Sequence, residues 1–273
     1  MGAFFGALSA ISIGLADLFG RQVVNRRGAV VATMIIQAVA TVTSLALLVV
    51  VASRFSVTDV VIGAISGLGL GVGLACYLGG LVRSTAAVVS PIVATMSSVI
   101  PFAYAVARGA AASAWSFAGA AVAVAGLVLI TAGSGAIRDV AVGLRWALAS
   151  GLGYGFGLSV VIDASDESGA WPAVAQRAAA FSLMALFVVR SHGRIPIVGV
   201  RALGVAAGVA AAGSTIFYLL GVQADATPAV VTASMFPAVT VTVGALMFGD
   251  RVTRWQVVGV GVVLVGVAAV VAA

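Results

Sequence analysis

The chain has no lysine, one cysteine (Cys76) and one histidine (His192). A single cysteine excludes an internal disulfide, and one cysteine with one histidine cannot supply a Cys/His metal set. Without lysine there is no G-x-x-x-x-G-K-(S/T) phosphate loop, so the chain alone has no ATP-coupling motif. Charge is scarce too: 8% of the 273 residues, against about 25% in a soluble domain. In its place, 62% of residues are hydrophobic and the mean hydropathy is +1.23. Stretches such as 60–81 and 227–248 exceed the roughly 20 residues that cross a hydrocarbon core.

Within a bilayer, open strands leave backbone groups unpaired, so these apolar runs read as helices. Hydropathy and charge breaks predict ten, near 3–20, 29–52, 58–81, 85–107, 114–132, 141–162, 173–189, 199–221, 227–248 and 255–272. The first has neither a basic leader nor a small-residue cleavage site, so no removable signal is expected. The net charge of +6 comes from arginine alone. In a membrane protein this marks cytoplasmic loops and contact with anionic lipid headgroups rather than nucleic acid. Eleven of the 14 arginines flank odd-numbered loops, which predicts those loops on the cytoplasmic side and both termini outside.

The two halves share a frame. Trp115, Gly119 and Gly126 recur as Trp255, Gly259 and Gly266 at an offset of 140, Tyr77-Leu78 recurs as Tyr218-Leu219 at 141, and Thr85 as Thr227 at 142. Two copies of a unit with an odd number of spans enter the membrane from opposite sides. The expected fold is therefore an all-α polytopic membrane protein: ten transmembrane helices as two inverted five-helix repeats, 1–135 and 136–273. Such duplication points to a transporter. Glycines spaced by four (Gly63, Gly67, Gly71; Gly151, Gly155; Gly204, Gly208) predict close helix contacts in spans three, six and eight.

Phe236-Pro237-Ala238-Val239, the turn Gly249-Asp250-Arg251-Val252-Thr253, then Gly259 and Gly266, resemble the last two spans of EamA-like members of the drug/metabolite transporter superfamily. The opening 13–20, with Asn25-Arg26-Arg27, and Gln176-Arg177 in span seven look similar as well. The resemblance implies ten spans, an inverted repeat, and carriage of small metabolites or amphipathic compounds through a central cavity without ATP. That would be a secondary transporter, an exporter in the bacterial inner membrane working by alternating access, with no cofactor and with a proton as one candidate coupling ion. It departs from the family at Asp250, where Glu is usual, and in the first half, whose equivalent turn carries no acid. Other readings are a lipid or lipid-linked flippase, or a non-transporting scaffold. An enzyme is not expected: the only histidine lies in a loop, and Asp17 alone stands out as an acid within a span.

The candidate substrate-binding residues are Asp17, Tyr77, Tyr154, Tyr218, Thr95 and Arg177. An ionisable group inside a span faces a cavity or a partner, so Asp17 either pairs with Arg21 one turn on or binds a cationic group or a proton. Arg177 either snorkels to the interface, near Asp163, Asp166 and Glu167, or serves as a cavity cation. The tyrosines either form an interfacial belt or line an amphipathic cavity in spans three, six and eight. Thr95 either offers a hydroxyl to that cavity or satisfies its own backbone.

Overall fold

The structure, a computed structural model, describes residues 1–50, 52–109, 113–132, 137–192, 198–224, 229, 232–233 and 235–272. Over these residues the chain forms α1 (Gly2–Arg27), α2 (Ala29–Val50), α3 (Val57–Arg83), α4 (Ala86–Ala107), α5 (Ala114–Ala132), α6 (Ile137–Val160), α7 (Trp171–His192), α8 (Arg201–Ala224), α9 (Phe236–Phe248) and α10 (Arg254–Ala272). Two 3₁₀ turns, Val161–Asp163 and Asp166–Ser168, join α6 to α7, and no strand occurs among the described residues. Among the described residues seven helices are long and apolar enough to cross a membrane: α1 to α4 and α6 to α8. The chain is thus a helical, multi-pass membrane protein. The apolar stretches of α5, α9 and α10 are shorter. The expected boundary between the repeats, at 135 and 136, lies outside the described residues, as does the start of the expected span 227–248.

Local chemistry explains where the helices break. Gly28 ends α1 at φ 87°, and Gly249 ends α9 at φ 66°, a left-handed conformation that glycine adopts without strain. Ser56 caps α3 by accepting the Asp59 amide at 3.3 Å. Pro91 and Pro101 both lie inside α4.

Helices from the first half pack mainly on helices from the second: α1 on α8, α3 on α6 and α7, α4 on α6, α2 on α7 and α8, α1 on α9, and α5 on α10. With lipid outside there is no hydrophobic drive between helices, so close backbone approach and buried hydrogen bonds hold them together. The glycines mark those approaches. A Cβ on Gly67 would lie 2.1 Å from the Gln176 carbonyl oxygen in α7, and one on Gly119 would lie 2.8 Å from that of Gly266 in α10. Between α3, α6 and α7, the buried Ser66 hydroxyl donates to the Gly157 carbonyl at 2.6 Å and accepts from Gln176 Nε2 at 2.6 Å. The tightest apolar packing, including Val23, Leu78, Leu81, Val89 and Ile92, gathers where α1 ends, α3 ends and α4 begins.

Candidate functional site

A cavity of about 280 Å³ lies where all the helices except α5 and α10 converge. Ile13, Ala16 and Asp17 of α1 line it, with Leu70, Leu74, Tyr77 and Leu78 of α3, Tyr154 and Leu158 of α6, and Arg177 of α7. Ile36, Val93, Ser97, Ala211, Ser214, Thr215 and Phe236 complete the wall. The wall is largely apolar, with two opposite charges set into it.

Asp17 is buried, 4% exposed, on the α1 face that also carries Gly14. A Cβ on Gly14 would meet Val239 Cγ1 at 2.4 Å, so the missing side chain lets α9 close on α1 and brings Thr240 to the carboxylate. Thr240 Oγ1 donates to Asp17 Oδ2 at 2.6 Å, and the Tyr77 hydroxyl donates to the same oxygen at 2.8 Å. Ser90 Oγ of α4 lies 2.9 Å from the Tyr77 hydroxyl. One carboxylate oxygen thereby gathers α1, α3 and α9, with α4 joined through Tyr77. Among the described residues Asp17 Oδ1 has no hydrogen-bond partner.

Asp17 does not pair with Arg21. The guanidinium instead makes a two-pronged contact with Asp250, Nη1 to Oδ2 at 2.9 Å and Nη2 to Oδ1 at 3.0 Å. A fork-to-carboxylate match beats a local i,i+4 contact because both prongs are satisfied. The left-handed turn at Gly249 directs Asp250 back over the end of α9, where its amide bonds the Gly244 carbonyl at 3.1 Å. Gly244 leaves the necessary space: a Cβ there would lie 2.6 Å from Asp250 Oδ2. Asp250 Oδ2 also accepts the Ala86 amide at the start of α4 at 3.0 Å, and Arg21 stacks on the Phe248 ring at 4.0 Å. One turn of α1 beyond Asp17, this second polar layer joins α1, α4 and the α9–α10 turn at the odd-loop end.

Arg177 lies in the second turn of α7 and lines the cavity. Its Nη1 donates to Gln37 Oε1 at 3.3 Å, and it makes no ion pair among the described residues. The acids near it in sequence are engaged elsewhere. Asp163 accepts the Tyr104 hydroxyl at 2.5 Å and pairs with Arg108 at 3.3 Å, and Glu167 pairs with Arg54 at 3.3 Å. The Asp166 side chain lies outside the described residues. Tyr154 lies within electrostatic reach of both Asp17 and Arg177.

The structure thus brings four of the six expected site residues together: Asp17, Tyr77, Tyr154 and Arg177. Thr95 is buried and donates to the Pro91 carbonyl at 2.9 Å, the backbone-directed alternative, and is not part of the cavity wall. Tyr218 is half-buried towards the end of α8 and also stands outside that wall. Thr240, Ser90 and Gln37 were not anticipated. Gln37 did carry a signal, an amide in the middle of an apolar span, where an unpaired polar group is expensive. Compared with known proteins, the chain matches no family model and no curated sequence, so the site is read from its own geometry.

Proposed function

We propose that this protein is a secondary transporter of small solutes, with two inverted five-helix repeats, 1–135 and 136–273, rocking around the central cavity. The single observation that carries this reading is that cavity: lined by helices of both halves, mostly apolar, and holding a carboxylate and a guanidinium that both lie within apolar, span-length helices. Intramembrane charges facing a cavity mark solute or ion pathways. Membership of the EamA-like family, ten spans and an inner-membrane location belong to the same proposal.

Residue-level pairing supports the duplicated architecture. Ser9 Oγ donates to the Ser214 carbonyl at 3.0 Å, and Ser150 Oγ donates to the Gly73 carbonyl at 2.8 Å. Ser9 and Ser150, like Gly73 and Ser214, are separated by 141 residues, the offset that relates Tyr77 to Tyr218. A two-fold axis exchanging the halves turns one hydrogen bond into the other. The α5–α10 seam behaves likewise: Gly119 meets Gly266 and Gly126 meets Gly259, pairs that interchange at the offset of 140. Helix contacts follow the same exchange, α1 on α8 answering α6 on α3. Repeats related in this way suit alternating access around a fixed central site.

Purified protein in liposomes, tested for counterflow of a panel of small metabolites, provides the test. Saturable flux is expected, and Tyr154→Trp, which fills the cavity, should abolish it in a variant that remains monodisperse. Flux equal to that of protein-free liposomes across the panel would overturn the transporter reading. Scrambling of fluorescent lipid without solute flux would replace it with a flippase.

A further inference from the structure

The cavity holds two charges of opposite sign, and neither has an ionic partner within it. Arg21, the cation nearest Asp17 in sequence, is committed to Asp250. Arg177 bonds only the neutral amide oxygen of Gln37 among the described residues. Two isolated charges in an apolar wall are costly to desolvate, and a salt bridge between them would relieve that cost. The fold instead leaves them unpaired, Asp17 on α1 and Arg177 on α7, with Tyr154 lining the same cavity within electrostatic reach of both and its hydroxyl without a described partner. Asp17 Oδ1 and the remaining Arg177 donors are free to meet a ligand.

We propose that the cavity binds a small dipolar solute of the α-amino-acid type, its cationic group on Asp17 Oδ1 and its anionic group on the Arg177 guanidinium, with its apolar side chain against the cavity wall. The inference rests on the transporter reading and names its substrate class. Charge balance argues for both groups on one molecule. A purely cationic solute leaves Arg177 uncompensated in an apolar cavity, and a purely anionic one leaves Asp17 so. Size points the same way: about 280 Å³ lies just below the range of drug-sized pockets. The apolar residues Ile13, Leu70, Leu74, Val93, Leu158 and Phe236 receive the uncharged part of the solute. Tyr77 and Thr240 hold the Asp17 carboxylate in place and are positioning residues.

The test uses three probes that share one isobutyl body: L-leucine, 3-methylbutylamine without the carboxylate, and 4-methylpentanoate without the amine. Equilibrium binding to purified full-length protein should rank leucine above each single-charge analogue by at least about tenfold, the scale of a lost charge-assisted hydrogen bond. In Asp17→Asn, leucine and 4-methylpentanoate should bind alike, and in Arg177→Gln, leucine and 3-methylbutylamine should bind alike. A misfolded variant loses all three probes and cannot produce this crossed convergence. The wild-type ranking stands as a test without any variant. Either analogue matching leucine in the wild type overturns the proposal, as does failure of leucine, valine and glycine all to bind. If those probes fail while other solutes cross the liposome membrane, the dipolar class falls and the transporter reading survives. Crossed convergence without flux of any solute overturns transport and leaves the binding site standing.

Discussion

Replacing Asp250 by asparagine is the sharpest single perturbation of this fold. The Arg21 and Asp250 side chains are only 9% and 8% exposed, and their contact is two-pronged at 2.9 and 3.0 Å. Asparagine keeps the shape and one acceptor oxygen but removes the carboxylate charge that meets the guanidinium, which stays buried against the Phe248 ring. Among the described residues Arg21 Nε already lacks a partner, so no spare hydrogen bond is on hand to absorb the loss. Removing one partner of a buried ion pair costs about 3–5 kcal/mol. At roughly 2–4 °C per kcal/mol for a chain of this size, the apparent Tm should fall by at least about 6 °C. The assay is thermal unfolding in detergent, read from tryptophan fluorescence. Arg54→Gln supplies the control, because the Arg54–Glu167 pair is 82% and 74% exposed and is worth under about 1 kcal/mol. The double variant Arg21→Met with Asp250→Leu removes both charges and should recover most of the loss. If Asp250→Asn shifts Tm no more than Arg54→Gln, or if the double variant is the sum of its parts, the buried-pair argument fails.

Two further substitutions, each with its own control, probe the helix contacts. Gly126→Val should lower stability by about 1–3 kcal/mol through overpacking, since a Cβ there would lie 2.8 Å from Val263 N and 3.0 Å from the Gly259 carbonyl oxygen. Gly261→Ala, with nothing within 4 Å of its Cβ, should change the same unfolding curve little. Ser66→Ala should cost about 1–3 kcal/mol by stranding the Gln176 amide and the Gly157 carbonyl. Thr242→Ala, at an exposed hydroxyl, should stay within about 0.5 kcal/mol.

Membrane character was legible because so little charge leaves few alternatives, and the glycine-rich spans were legible because spacing by four is a local pattern. Asp17 and Arg177 could be singled out because ionisable groups within apolar runs are costly wherever they face. Their partners were less accessible. Arg21 sits four residues after Asp17, the spacing of a helical ion pair, yet its acid lies 229 residues away, brought close by the Gly249 turn. Distant pairing of this kind depends on how α9 meets α1, which no local spacing encodes. For the same reason Thr240 escaped notice: a threonine in an apolar helix normally serves its own backbone, as Thr95 does. The acidic residues near Arg177 illustrate the reverse error, sequence proximity suggesting a contact that Arg108 and Arg54 take instead.

The α5–α10 seam has a consequence for biosynthesis. The Gly119 and Gly126 surface of α5 emerges from the ribosome long before the Gly259 and Gly266 surface of α10, the last helix described. Until α10 arrives, that glycine face has only lipid or an insertion factor against it, and the α3 face that receives α6 and α7 waits in the same way. Each half is therefore an unfinished template for the other, and the closing contacts of the fold have high sequence separation, a topology that slows folding. Separately synthesised halves should accordingly be short-lived alone and longer-lived together, with the α5–α10 contact the step that commits the pair.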